Sequence, residues 1–234
     1  MHKGLIIIFY IDKRRMKHQE RDYHSIPLPS LKRLPRYLHV LEDFLEEGME
    51  TISANDIASK LDLKPIQIRK DMAFTGIAGK PKVGYRTAEL VKTLKEYLGW
   101  NTTTNAIIVG AGSLGTALLG YQGFEERGLN ILAAFDNDPL KKGAVRYGSP
   151  IKPMEELHGF IRANKIRLAM ISVPSNNAQE VADKLVDAGI KGIWNFSPAE
   201  IQVPSNIVVK REDLSEGLAV LFVRLQEQRE KDRT

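Results

Sequence analysis

Residues 106–121 read AIIVGAGSLGTALLGY, and this stretch decides the fold. A run rich in β-branched residues, Ile107 to Val109, leads into Gly110, Gly112 and Gly115 at G-x-G-x-x-G spacing, and an Ala/Leu-rich segment follows. A lone glycine motif says little; a strand before it and a helix after it are the context that give it meaning. There Gly110 permits a tight turn and Gly112 lets the backbone approach a pyrophosphate. Gly115 lets the helix pack close to the strand, and the free N–H groups at the helix start face the anion.

The next apolar run ends in FDNDP, placing Asp136 21 residues after Gly115. An acidic side chain there accepts hydrogen bonds from adenosine ribose hydroxyls and repels a 2′-phosphate. Asn137 and Asp138 follow it, with no arginine, so the expected ligand is NAD(H) rather than NADP(H).

Beyond the motif, ILAAFD, LAMISV and GIWNF are short apolar runs bounded by turn residues, with helical stretches between them. Strand–helix alternation of this kind predicts a Rossmann-like, doubly wound parallel sheet over 106–210. Residues 99–105, GWNTTTN, read as a linker.

Upstream, residues 25–98 follow a different pattern. Leu34, Leu38, Leu41 and Leu45 recur at helical spacing, with Gly48 as a stop. Ser53 is an N-cap candidate with Asp56 three residues on, and Ile57, Ala58 and Leu61 form the next stripe. A third helix starts at KPIQIRKDMAF with Pro65 in its first turn. No strong strand is expected before AGKPKVGYRT, which is short enough for a two-stranded hairpin. Helix-turn-helix plus a basic hairpin is a winged helix, whose third helix enters the major groove.

Gln67, Arg69 and Lys70 on that helix, with Lys80, Lys82 and Arg86 on the wing, are then the candidates to face DNA. Charge agrees with this assignment. Residues 1–100 carry 18 Lys+Arg against 13 Asp+Glu, while the remainder is balanced at 16 each, so the whole net charge of +5 sits in the first half.

With no cysteine, disulfides, thiolate catalysis and cysteine-bound zinc are excluded. A hydrophobic fraction of 43% with 27% charged residues is that of a soluble globular chain, expected in the cytoplasm. The apolar stretch Leu5–Ile11 is too short to span a bilayer and is followed by DKRRMKHQERD, so residues 1–24 are expected as a disordered extension or an upstream-called start, and no membrane partner is expected. His2, His18 and His24 lie in that extension, His39 in the helical half and His158 on a flanking helix. None sits at a strand's C-terminal end, where α/β sites gather, so no catalytic or metal-binding residue is assigned. Two rivals stay open on the residues alone: a small NAD-dependent oxidoreductase with a helical dimerisation module, and a fold that binds coenzyme A or another nucleotide.

Taken together, QIRKDMAFTG with KVGY, VGAGSLG, FDNDP, the segment from ISVPSNN to EIQVP, and EDLSEGLAVLFVRLQ resemble the redox-sensing transcriptional repressor Rex family over roughly residues 31–225. The resemblance implies a homodimer with a domain-swapped C-terminal helix (211–234), binding double-stranded operator DNA and released from it by NADH. It implies that Gly110, Ala111, Gly112, Ser113, Leu114, Gly115 and Asp136 contact the cofactor. Val173, Pro174, Asn195, Phe196 and Ser197 would line the nicotinamide end, with Tyr121 near the partner's nicotinamide. Tyr121 and Asp213 would form a switch pair, and His39 stands where the basic partner of the switch aspartate is often an arginine. From the residues, Leu214, Leu218, Leu221, Phe222 and Leu225 share one face that needs a groove, on either subunit.

Overall fold

The computed structural model describes residues 26–81 and 83–232. Lys82 and the 1–24 extension with its three histidines lie outside the described residues. The chain divides into two compact units, one ending at Leu98 and the other beginning at Gly99.

In the first unit, α1 (Leu28–Glu46) starts earlier than the leucine stripe implies and runs through Pro35. Proline here removes one backbone donor, and the first-turn prolines at 27 and 29 supply the start. Leu34, Tyr37, Leu38, Leu41 and Phe44 are buried, while Leu45, one turn on, is exposed. A two-residue strand, β1 (Thr51–Ile52), precedes α2 (Ala54–Leu61). Ser53 caps α2 as expected: its hydroxyl accepts from the N–H groups of Asn55 and Asp56, and the Asp56 carboxylate accepts from the Ser53 N–H at 2.8 Å. Then α3 (Pro65–Phe74) follows after a short turn.

The basic segment after α3 is a tight hairpin end. Lys80 N–H donates to the Gly84 carbonyl at 2.7 Å and receives its reverse at 2.9 Å. Its descending arm, β2 (Tyr85–Arg86), pairs with β1 rather than with the ascending arm, Ile52 opposite Tyr85. The expectation of no strand before the hairpin missed β1, whose two residues exist only because β2 pairs with them across the fold. A fourth helix, α4 (Thr87–Tyr97), closes the unit on α1 through Leu90, Val91 and Leu94.

The second unit is a seven-stranded sheet in the order β5-β6-β4-β3-β7-β8-β9. Its strands are β3 (Thr104–Val109), β4 (Leu129–Asp136), β5 (Val145–Arg146), β6 (Ser149–Pro153), β7 (Leu168–Ile171), β8 (Gly192–Asn195) and β9 (Val208–Arg211). All neighbours are parallel except β5, which forms a hairpin with β6. The four strands legible in the sequence are β3, β4, β7 and β8.

Helices α5 (Ser113–Leu119) and α6 (Gly123–Glu126) cover one face, and α7 (Leu157–Ala163) and α8 (Ser175–Ala188) the other. Alternation along β3 follows: Ile107 and Val109 join the α7–α8 core, and Ile108 joins the core under α5. Burial on both sides explains the unbroken apolar runs. The final helix, α9 (Leu214–Lys231), leaves Leu218, Leu221, Phe222 and Leu225 44–56% exposed.

Candidate functional site

Strand order reverses at β3: from it the chain goes out to β4 on one side and, later, to β7 on the other. Crevices for ligands open at the carboxyl ends of strands at such a switch point. The glycine loop lies there, between the ends of β3, β4 and β7. Gly110 has φ +101°, and a Cβ on it would lie 2.6 Å from the Ser172 carbonyl oxygen at the end of β7. At Gly115 a Cβ would come within 1.9 Å of the Gly110 oxygen. Protein packing therefore demands glycine at both positions.

Gly112 differs. Its φ of −76° suits any residue, and a Cβ there would meet nothing within 4 Å. Its bare backbone faces open space, and it lines two clefts, of about 620 Å³ and 580 Å³. Nothing among the described residues needs a glycine here, whereas a ligand approaching the backbone does. This is the fit expected for a dinucleotide pyrophosphate.

Asp136 ends β4. Its Oδ2 accepts from the Ala111 N–H at 2.7 Å and from Lys141 Nζ at 2.8 Å, and its Oδ1 accepts from the Asp138 N–H at 2.9 Å. Burial opposes ionisation, but the Lys141 ammonium and the two N–H donors outweigh it and hold the carboxyl below its ordinary range. Val173 and Pro174 line the larger cleft together with Gly110, Gly112 and Asp136. Ser113 lines the smaller one, and Leu114 is 37% exposed at the start of α5.

Asn195 and Ser197 are buried. The Asn195 amide donates to the Ala199 carbonyl at 2.8 Å and its oxygen accepts the Ser197 N–H at 3.0 Å, so both are spent on the turn after β8. Phe196 is half-buried against Trp194, ring centroids 5.0 Å apart. Tyr121 is exposed two residues after α5, edge-on to Phe124 at 4.9 Å. Asp213 caps α9, accepting from the Ser215 N–H at 2.9 Å and from Arg211 Nη2 at 3.0 Å. The Ser215 hydroxyl and N–H, with Arg211 nearby, hold that carboxyl below its ordinary range. His39 is exposed on α1 in the first unit, while Tyr121 and Asp213 belong to the second.

On α3, Arg69 and Lys70 are exposed. Gln67 is half-buried and its amide donates to Asp71 Oδ1 at 3.0 Å, which leaves its second N–H and its carbonyl oxygen outside that bond. Asp71 is buried and also accepts from Arg33 and from the Tyr37 hydroxyl at 2.6 Å. Lys80 and Arg86 are exposed on the hairpin and its root. Sequence reasoning missed Arg33, Tyr37, Asp71 and Lys141. Lys141, five residues past Asp136, was within reach of a local search; Arg33, 38 residues from Asp71, carried no local signal.

Comparison with known proteins agrees with both halves. A family model described as a putative DNA-binding protein N-terminus matches residues 25–73, and one described as a CoA binding domain matches residues 101–199. The redox-sensing transcriptional repressor Rex of Treponema denticola is 49% identical over 195 residues, covering 83% of this chain and 93% of its own length. The chain belongs to the Rex family. Among solved structures, the Rex-family repressor RSP with NAD⁺ and operator DNA is similar at a TM-score of 0.82 and 36% identity, over 89% of this chain and 96% of RSP. RSP with NADH is similar at 0.80 and 35%, over 89% and 98%. The relatives of this Rex-family chain are named as repressors, not as catalysts. Among the described residues no cluster of His, Asp or Glu could hold a metal ion, and no helix is long and apolar enough to cross a membrane.

Proposed function

We propose that this Rex-family chain is a transcriptional repressor that binds double-stranded operator DNA and is released from it by NADH. The observation that carries the reading is the open backbone of Gly112 beside Asp136, in a chain whose solved relatives are described with NAD⁺ and operator DNA and with NADH. The dinucleotide acts as a signal: the protein reads which redox form is bound and does not consume it.

In this reading Gly110, Ala111, Gly112, Ser113, Leu114, Gly115 and Asp136 hold the pyrophosphate and adenosine ribose. Val173 and Pro174 wall the cleft, and Asn195, Phe196 and Ser197 shape the nicotinamide end through the turn after β8. Arg69, Lys70 and Gln67 meet the major groove, with Lys80, Lys82 and Arg86 against the backbone. The apolar face of α9, exposed in the single chain, supports a homodimer in which that helix is exchanged, since a face of this size on one helix seeks cover. Tyr121, Asp213 and His39 are then the switch residues. A repressor works where the chromosome is, which places it in the cytoplasm.

The test is operator binding followed by fluorescence anisotropy in an NADH titration. Release by NADH at concentrations where NAD⁺ leaves the complex intact is the expected result. Operator binding indifferent to NADH would refute the sensor.

A further inference from the structure

The Asp136 carboxylate does not face the cleft bare. Lys141 Nζ lies 2.8 Å from Oδ2, and the remaining acceptor positions are already reduced by the N–H groups of Ala111 and Asp138. The lysine is placed by a built turn. Residues Pro139–Lys141 form a short 3₁₀ turn capped by Asp138, whose Oδ1 accepts the Leu140 N–H at 2.9 Å. The Asp136 side chain is 8% exposed, Lys141 34%, and Lys141 lines both clefts that meet at Gly112.

An acidic residue at this strand end is ordinarily what rejects a 2′-phosphate. Here its charge is already met by an ammonium at contact distance, so its repulsion of an incoming dianion is largely cancelled. Lysine is also a point-charge ligand for phosphate in its own right. Resting on the dinucleotide reading above, we propose that Lys141 is the specificity-determining residue of this site. While Asp136 is ionised, Lys141 is occupied as its counter-ion, and the carboxylate keeps a lone pair for a ribose 2′-hydroxyl. Once Asp136 is neutral, the ammonium keeps only the more distant Asp138 carboxylate, 3.9 Å away, and becomes a seat for a 2′-phosphate. The choice between NADH and NADPH thus lies in the pair, and one substitution at position 136 moves it.

Calorimetric titration with NADH and with NADPH tests this on the full chain without DNA. Asp136→Asn is the informative variant: its carbonyl can still accept the Ala111 N–H, at the loss of the bond from the Asp138 N–H. It is expected to bind NADPH on the order of tenfold more tightly than the parent does. Adding Lys141→Met should abolish that gain. Lys141→Met alone should weaken NADPH binding more than NADH binding, because it removes the cation that would face a 2′-phosphate. Circular dichroism of each variant separates these outcomes from misfolding, and Asp136→Ala serves as the second neutral variant.

Equal NADPH affinity in Asp136→Asn with and without Lys141 would overturn the proposal while leaving the dinucleotide site standing. So would an equal loss of both ligands in Lys141→Met, which makes the lysine a general phosphate contact. Failure of the parent protein to bind NADH at all would overturn both readings together.

Discussion

Arg33 on α1 grips Asp71 on α3 at two points, Nε to Oδ2 at 2.7 Å and Nη2 to Oδ1 at 2.9 Å. The same carboxylate takes the Tyr37 hydroxyl and the Gln67 amide, so the helix that carries Arg69 and Lys70 is tied to α1 through one buried charge. Fork-to-fork geometry fixes orientation as well as distance. Burial opposes ionisation of Asp71, but Arg33, Tyr37, Ser30 and Gln67 hold its carboxyl below the ordinary range. Burial and the neighbouring carboxylate push the Tyr37 phenol up.

Removing that carboxylate leaves Arg33 and Tyr37 facing a hole. Asp71→Ala should cost about 2–3 kcal/mol, the lower end for a broken buried pair because Arg33 reaches solvent. The sign with pH follows from the depressed value. The stabilisation is complete above the unfolded aspartate value and is lost as pH falls through the lower folded one. Urea denaturation from pH 6 downward should show the parent losing stability that Asp71→Asn has already lost. Parallel curves for the two would rule out this role.

The three loop glycines should respond differently to alanine. Gly112→Ala puts a methyl into open space and should leave stability within about 0.5 kcal/mol while weakening NADH binding. Gly115→Ala drives a methyl against the Gly110 carbonyl and should cost about 1–3 kcal/mol or more in thermal stability. If Gly112→Ala binds NADH as the parent does, the ligand does not pass over that backbone.

The exposed cations of α3 separate into two kinds. Arg69→Ala should lose about 1–3 kcal/mol of operator binding with relaxed discrimination at one base pair, if it reads an edge. Lys70→Ala should weaken all sequences alike and lower the salt slope by about 1. Anisotropy against operator and scrambled duplex at several salt concentrations distinguishes them.

On α9, Leu221 and Phe222 are exposed in the single chain. Leu221→Glu with Phe222→Glu should yield a folded monomer by sedimentation, because an acidic pair on the seam cannot be desolvated without partners. A dimer that survives the double substitution places the contact elsewhere.

The parts of the fold legible in the sequence are those with local causes. The Ser53–Asp56 box, the Gly110–Gly115 spacing and the apolar runs of β3, β4, β7 and β8 each follow from residues a few positions apart. The elements that escaped are set by distant partners. β1 is two residues that pair with β2, and β5–β6 turns at Tyr147–Gly148, both with positive φ, without an apolar run to mark it. β9 is an edge strand, largely exposed at Val208 and Val209. At the site, Asp136 stood out by its offset from the glycines, but its engagement with Ala111 and Lys141 depends on how the 3₁₀ turn folds back. Asp71, next in sequence to the exposed Arg69 and Lys70, is buried and held by Arg33 from another helix.

If NADH loosens the hold on operator DNA, linkage makes the coupling reciprocal. Calorimetric NADH titrations with and without saturating operator duplex measure it. Operator DNA is expected to weaken NADH binding by the same factor by which NADH weakens operator binding. Identical NADH affinity in the two titrations would refute the coupling.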